Sequence, residues 1–171
     1  IDDEARRRGA GVDTEHGRSE MLPNNLIWNT FNLKEGEDRI ALSVLLDVDS
    51  DGELVSIDFD ETVIRVDRRC LFDELDAMLI SNDASAVLSL RDKYRQFLPQ
   101  IDAMYSLSAL LRRKRFERGG LQIDKFYREF TYNDNAEVNG FKRVAQSDSE
   151  AMLFEFTLFA SAELGKYLAN K

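Results

Sequence analysis

The chain has 171 residues, 43% hydrophobic and 32% charged, and its formal net charge at pH 7 is −9. This composition is typical of a folded globular domain and excludes an intrinsically disordered chain. The single cysteine, Cys70, excludes an internal disulfide framework and a cysteine-rich zinc site.

Hydropathy bears on where the protein resides. No run of about 18 uncharged apolar residues is present, so we expect no membrane-spanning segment and no membrane partner. The first residues, from Ile1 to Arg8, lack the apolar core of a signal peptide. We therefore expect an intracellular protein of the cytoplasm or an organellar matrix.

Charge is unevenly distributed along the chain. From Lys34 to Ile64 there are ten acidic residues and two basic ones, whereas from Arg112 to Arg128 there are seven basic residues and two acidic ones. Proteins that bind nucleic acids usually carry a positive surplus, because contact with phosphates supplies most of their affinity. Any contact with a nucleic acid is therefore expected in the basic stretch.

The first third of the chain predicts a short helix, an irregular segment and a β-hairpin. Asp2 or Asp3 could cap the helix, which Gly9 would end. Residues 24–33 alternate polar and aromatic side chains and receive no assignment. Residues 41–48 and 54–66 are rich in β-branched residues and flank an Asp-Gly turn, which is a strong hairpin signal.

The rest of the chain predicts mainly helices. Pro99 interrupts the helical pattern of 84–118, and Gly119-Gly120 ends it. A capping box, Ser147-x-x-Glu150, begins the last helix. The fold class is therefore α+β, with a mixed antiparallel β-sheet and packed helices. The predicted elements are the hairpin 41–66, helices within 71–118, strands within 121–145 and a C-terminal helix at 147–169.

Two local motifs have competing interpretations. The acidic segment from Asp47 through Asp49, Asp51 and Gly52 to Asp58 fits the spacing of an EF-hand calcium loop. An EF-hand needs a helix on each side, and both flanks here alternate like strands, so a hairpin turn is favoured. The lone histidine, His16, lies in a polar segment, which makes a catalytic triad improbable.

Five segments together resemble a known domain, in the same order. They are Ile1–Gly9 (IDDEARRRG), Met21–Pro23 (MLP), Gly36–Val44 (GEDRIALSV), Arg115–Gly120 (RFERGG) and Asp148–Ala160 (DSEAMLFEFTLFA). These resemble the RNB domain of the ribonuclease II and ribonuclease R exoribonucleases. The resemblance covers residues 1–171 and implies one partial or shortened RNB-like domain.

The resemblance implies that the catalytic residues for RNA hydrolysis lie outside this chain. RNB enzymes are magnesium-dependent 3′→5′ exoribonucleases, in which an aspartate cluster holds the metal ions that activate water. That cluster lies upstream of the matched region and the catalytic arginine lies downstream. We therefore expect no catalytic residue, no metal ligand and no cofactor in this chain, and Mg²⁺ only in the intact family enzyme.

The positions that should hold the RNA base are altered. Asp13 stands where the family has a stacking tyrosine, and Ile123 stands where it has a clamping phenylalanine. Phe154-Glu155 replaces the paired glutamates of the last helix. Base stacking is worth ~1–3 kcal/mol per base, so these changes should weaken the grip on a 3′ end.

The candidate RNA-binding residues are Arg112, Arg113, Arg115, Arg118 and Glu155. The competing interpretation is a solvated helix end whose cations complement the helix dipole. The expected partners are single-stranded RNA and another protein or the missing part of the domain.

Two functions stay open. One is a degenerate RNB module that binds or scaffolds, for example in a ribonucleoprotein assembly. The other is part of an active magnesium-dependent 3′→5′ exoribonuclease whose aspartates lie outside this chain.

Overall fold

The computed structural model describes residues 1–14, 17–80, 83–122, 126–133 and 135–170, with the side chain of Ile80 left out. The chain divides into two compact units. The first comprises Ile1–Leu42, Glu61–Arg69 and Arg128–Val144, and the second comprises Ser43–Asp60, Cys70–Tyr127 and Ala145–Lys171.

The predicted α+β class is confirmed. Among the described residues the strands form three two-stranded sheets, β1–β2, β3–β4 and β5–β6. The α-helices are α1 (Asp2–Arg8), α2 (Asn24–Leu26), α3 (Phe72–Ile80), α4 (Ala84–Lys93), α5 (Leu98–Glu117) and α6 (Asp148–Ala169). The strands are β1 (Val12–Thr14), β2 (Gly17–Ser19), β3 (Asp38–Val48), β4 (Leu54–Arg65), β5 (Phe126–Tyr132) and β6 (Val138–Ala145).

The N-terminal segment departs from the sequence prediction in two ways. Ile1 is the N-cap of α1, so Asp2 and Asp3 lie in the first turn, where they complement the helix dipole instead of capping it. The segment expected to be irregular contains the antiparallel pair β1–β2. The unassigned residues form α2 and a π-helical turn over Ile27–Phe31. Gly9 ends α1 in the left-handed conformation, as predicted.

The acidic loop is a β-hairpin turn, so the EF-hand interpretation is wrong. The turn closes through the Asp49 amide, which donates to the Glu53 carbonyl at 3.0 Å. Oδ1 of Asp49 accepts hydrogen bonds from the Asp51 and Glu53 amides, both at 2.9 Å. Strands β3 and β4 flank the turn where an EF-hand needs helices.

The core of the second unit is a cluster of Leu75, Met78, Tyr94 and Ile101. These residues bring α3 and the junction between α4 and α5 together, and Tyr94 is fully buried. The helical pattern breaks at Tyr94, a few residues before Pro99. A 3-10 turn at Arg95–Phe97 follows, and Pro99 lies in the first turn of α5, where a missing amide costs least.

Helix α6 begins with the predicted capping box. The Ser147 amide donates to Oε2 of Glu150 at 2.9 Å, and the Glu150 amide donates to the Ser147 hydroxyl at 3.3 Å. The buried Ser149 ties this end of α6 to α3, because its amide donates to Oδ1 of Asp76 at 2.9 Å. The position of α6 against α3 and α5 is therefore set by both packing and hydrogen bonds.

None of the described helices is long and apolar enough to cross a membrane.

Candidate RNA interface

The basic cluster lies on the last two turns of α5. The helix ends at Glu117, and Gly119 follows in the left-handed conformation with φ 84°. The Gly119 amide donates to the Phe116 carbonyl at 2.9 Å, and the Gly120 amide donates to the Arg115 carbonyl at 2.8 Å. The predicted glycine termination is therefore confirmed, and it holds the cations beside the negative end of the helix dipole.

Arg115 points inward and is paired with Glu155 of α6. Its Nε lies 3.0 Å from Oε2 of Glu155, and its Nη2 lies 2.5 Å from Oε1. The third nitrogen, Nη1, donates to the Leu121 carbonyl at 2.9 Å. The side chain of Glu155 is only 7% exposed. The hydrogen bonds to Glu155 raise the pKa of the Arg115 guanidinium.

Lys114 forms an ion pair, whereas Arg118 makes a hydrogen bond to a neutral backbone group. The ammonium of Lys114 pairs with the carboxylate of Glu53, at the hairpin turn, and this contact lowers the pKa of Glu53. The Nε of Arg118 donates to the Lys114 carbonyl at 3.3 Å. These contacts keep the end of α5 in place.

Arg112 and Arg113 remain directed toward solvent or toward neutral partners. Arg112 donates to the side-chain oxygen of Gln122, and its guanidinium lies 5.9 Å from the centre of the Phe116 ring. Arg113 is 69% exposed and its one described ion pair, to Glu117, spans 3.7 Å. Such an exposed pair contributes little and breaks readily. Among the five predicted contacts, Arg112, Arg113 and Arg118 therefore have positive charge that a ligand could use, and Arg112 and Arg113 border the same cavity.

Both arginines line a cavity of about 600 Å³ in the second unit, hereafter the α5–α6 cavity. Burial, with the nearby Asp76 and Asp148 carboxylates, raises the pKa of the Tyr105 phenol in this cavity to about 12. Glu155 also borders it. Its other lining residues are Leu79, Ser108, Ala109, Phe116, Asp148, Ala151 and Met152.

Arg115 and Arg118 line a different cavity, of about 290 Å³, together with Glu155, Glu163 and Lys166. The structure therefore divides the predicted set between two cavities and does not gather it on one face. This division follows from the rotation of about 100° per residue along an α-helix. Phe116 and Gln122 were not among the predicted site residues. The spacing of Phe116 four residues after Arg112 was the available signal.

The altered clamp position Asp13 lies in strand β1 of the first unit. Its carboxylate accepts hydrogen bonds from Nη1 of Arg18 at 3.0 and 3.2 Å, and both side chains are exposed. The other clamp position, Ile123, lies outside the described residues, as does His16.

Within the ranges that the structure describes, no group of three or more His, Cys, Asp or Glu side chains could hold a metal ion. These residues therefore offer no complete set of oxygen ligands for a magnesium ion.

Comparison with known proteins identifies the family. The family model of the RNB domain matches residues 1–171. The chain belongs to the RNB domain family. It is 25% identical over 175 residues to two proteins of Arabidopsis thaliana, DIS3-like exonuclease 2 and inactive exonuclease DIS3L2. Each alignment covers 99% of this chain and 17% of the relative.

The fold is also similar to a solved RNase R. The structure of Mycoplasma genitalium RNase R in complex with ribose methylated single-stranded RNA matches with a TM-score of 0.79 and 18% sequence identity. The match covers 99% of this chain and 26% of that one. The chain thus spans between about a sixth and a quarter of the length of these relatives.

Proposed function

We propose that this chain is an RNB module that holds single-stranded RNA through phosphate contacts at the end of α5 and does not cut RNA by itself. The observation that carries this proposal is the state of Arg112 and Arg113. Both are cationic, both border the α5–α6 cavity, and neither is held by a strong ion pair among the described residues. Guanidinium groups form the strong, charge-assisted hydrogen bonds that phosphate oxygens accept.

This proposal does not retain all five of the RNA-binding residues that the sequence predicts. Arg115 and Glu155 satisfy one another, and a ligand would have to break that pair to use either. They are better assigned to holding α5 and α6 together. Because phosphates are common to every sequence, contact through Arg112 and Arg113 should not discriminate between bases.

The substrate class is inferred from the relatives. The solved RNase R with this fold is described in complex with single-stranded RNA in one structure and with double-stranded RNA in another, which supports RNA as the ligand class. The changed clamp position Asp13 supports binding without a firm grip on the 3′ base, since a carboxylate cannot stack on a base.

A second candidate function is part of a working exoribonuclease. One Arabidopsis relative is named an exonuclease and the other an inactive exonuclease, and this chain is equally identical to both. Because the chain covers 17% of each, catalytic groups supplied by other sequence are compatible with the same fold. A cluster of aspartates in adjoining sequence would favour this alternative.

A protein partner, or the rest of the domain, has separate support from the hairpin. Ile40, Leu42 and Val63 on β3 and β4 are mostly exposed, with Ile40 at 88%. Exposed apolar strands of this kind commonly pack against another chain or segment. This surface is compatible with both functions.

The proposal is tested by comparing affinities for a short single-stranded oligoribonucleotide, measured by fluorescence anisotropy. The double variant Arg112→Gln/Arg113→Gln should bind at least ~10-fold more weakly, because hydrogen bonds to charged groups contribute ~1.5–3 kcal/mol each. The matched control is Arg91→Gln/Arg95→Gln, which removes the same charge from exposed positions of the second unit. The control should bind like the wild-type chain. Equal affinity in all three proteins would refute the proposal.

A further inference from the structure

The first unit carries a group of exposed aromatic side chains with no role in the proposed site. Trp28 and Phe31, on the π-helical turn Ile27–Phe31, are 53% and 60% exposed. Both line a cavity of about 580 Å³, hereafter the Trp28 cavity. Its other lining residues are Glu20, Ile27, Asn32, Leu33, Lys34, Glu35 and Arg69.

The four charged residues that line this cavity differ in how they are paired. Glu20 is paired with Arg18 at 3.1 Å, and Glu35 is paired with Arg68 at 3.1 Å and accepts the Arg69 amide at 2.9 Å. Glu35 is therefore already compensated, whereas Glu20 shares Arg18 with Asp13. Lys34 and Arg69 form no ion pair with any residue that the structure describes, and Lys34 has only a weaker electrostatic interaction with Glu37. These two cations are the charges that a phosphate could contact.

We propose that the Trp28 cavity is a second contact for single-stranded RNA. Unpaired bases would stack on Trp28 and Phe31 while Lys34 and Arg69 face the adjacent phosphates. This inference rests on the proposed function, since it assumes that the chain binds RNA. It places base contact in the first unit, whereas the α5 contact in the second unit reaches only phosphate.

Nucleic acid is favoured over a peptide because the cavity combines two aromatic ring faces with Lys34 and Arg69, which have no ion pair among the described residues. Every base offers a π-face, and stacking on aromatic side chains next to a positively charged track is the usual way to bind single strands without sequence preference. An apolar peptide would use the rings and leave Lys34 and Arg69 without a partner. The Asn32 side chain adds a hydrogen-bonding group at the same cavity, of the kind that base edges need.

The chain provides its own probe, because Trp28 is its single tryptophan. Titration with oligouridylate should quench the Trp28 fluorescence in a saturable way. An oligomer of equal length with abasic positions offers the same phosphates without rings and should quench much less. A strongly quenched, saturable signal from the abasic oligomer would overturn the stacking geometry.

Variants test the same contact by affinity, measured with labelled RNA. Trp28→Leu should weaken binding roughly 5-fold to 150-fold, the range that follows from ~1–3 kcal/mol per stacked base. The matched control is Phe141→Leu, which removes an exposed ring of the first unit outside the cavity and should leave affinity unchanged. Lys34→Gln/Arg69→Gln alters surface charge and no core residue, so it tests the cavity even if Trp28→Leu disturbs folding. Circular dichroism of each variant verifies the fold.

The outcomes separate this inference from the proposed function. Binding that depends on Arg112 and Arg113 but is insensitive to the cavity variants, with no quenching, overturns the inference alone. Binding that depends on Trp28 and not on the end of α5 overturns the proposed site and supports the cavity. No binding of RNA overturns both. Indole emission typical of a buried ring before RNA is added, together with a dimer mass in sedimentation, would assign the cavity to a second copy of the chain and overturn the inference.

Discussion

Arg115 holds both carboxylate oxygens of Glu155 across a separation of 40 residues in the chain. The pair joins the end of α5 to the middle of α6, and the carboxylate side is nearly fully buried. Two residues that the sequence predicts as RNA contacts therefore form an ion pair with each other. The neighbouring Arg112, which is half-buried, and Arg113, which is exposed, have no such buried partner and are left for a ligand.

The pair should be a sensitive point of stability. Glu155→Gln leaves the guanidinium without its charged partner in a largely buried site, and we expect a loss of about 3 kcal/mol in the free energy of unfolding. Arg115→Met/Glu155→Met removes both charges and should cost much less than the single change. Urea denaturation measures both. The exposed Glu117→Gln serves as control and should stay within about 0.5 kcal/mol of wild type. If Glu155→Gln were no less stable than Arg115→Met/Glu155→Met, the pair would not be a buried ion pair that holds α5 against α6.

Calcium should not stabilise the protein. The carboxylate of Asp49 is occupied by two amides of the turn, and Asp47 accepts the Ser56 hydroxyl at 2.6 Å. A site at 100-fold saturation would add ~2.7 kcal/mol, which thermal melting registers easily. We expect identical melting curves with calcium and with a chelator. A melting temperature that rises with calcium concentration would show that the loop can rearrange into a metal site.

Stability should fall at alkaline pH through Tyr105. Burial raises the pKa of its phenol from 10.0 to about 12, so the folded state holds the proton more tightly than the unfolded state. The stabilisation from this difference is fully present below about pH 10 and is lost as the pH rises toward 12. Tyr105→Phe removes the titrating group, so its stability should decline less steeply over that range. Parallel curves for the two proteins in urea melts would contradict the prediction.

The 171-residue chain with magnesium should not shorten a single-stranded oligoribonucleotide. No cluster of carboxylates that could hold a metal ion occurs in the described part of the chain, and the resemblance to ribonuclease II-type enzymes implies that hydrolysis needs such a cluster. Denaturing gels of a 3′-labelled substrate measure the reaction, with magnesium replaced by chelator as the control. Magnesium-dependent, stepwise shortening that co-purifies with the folded chain would exclude the non-catalytic assignment.

The sequence predicts local features well and distant contacts poorly. The Ser147–Glu150 capping box, the hairpin turn at Asp49 and the termination at Gly119 depend on neighbours within a few residues, and all three are confirmed. The pairing of Lys114 with Glu53 joins positions 61 residues apart, and no local pattern indicates it.

The misplaced elements have a similar cause. The strands β1 and β2 are three residues each and entirely exposed, so they carry no alternation of apolar residues. The sequence could place the cations of α5 on one helix end. It could not show which of these cations a ligand can reach, because that depends on distant partners: Glu155 of α6 pairs with Arg115, and Glu53 of the hairpin pairs with Lys114.

The most direct test of the account is the salt dependence of RNA affinity. For single strands the logarithm of the binding constant falls with the logarithm of salt concentration by about 0.7 per phosphate contact. Arg112→Gln/Arg113→Gln should therefore bind more weakly than wild type at low salt and show a slope shallower by about 1.4, whereas Arg91→Gln/Arg95→Gln should keep the wild-type slope. If the slope and the affinity of the first variant equal those of wild type, Arg112 and Arg113 do not contact phosphate and the proposed interface is wrong.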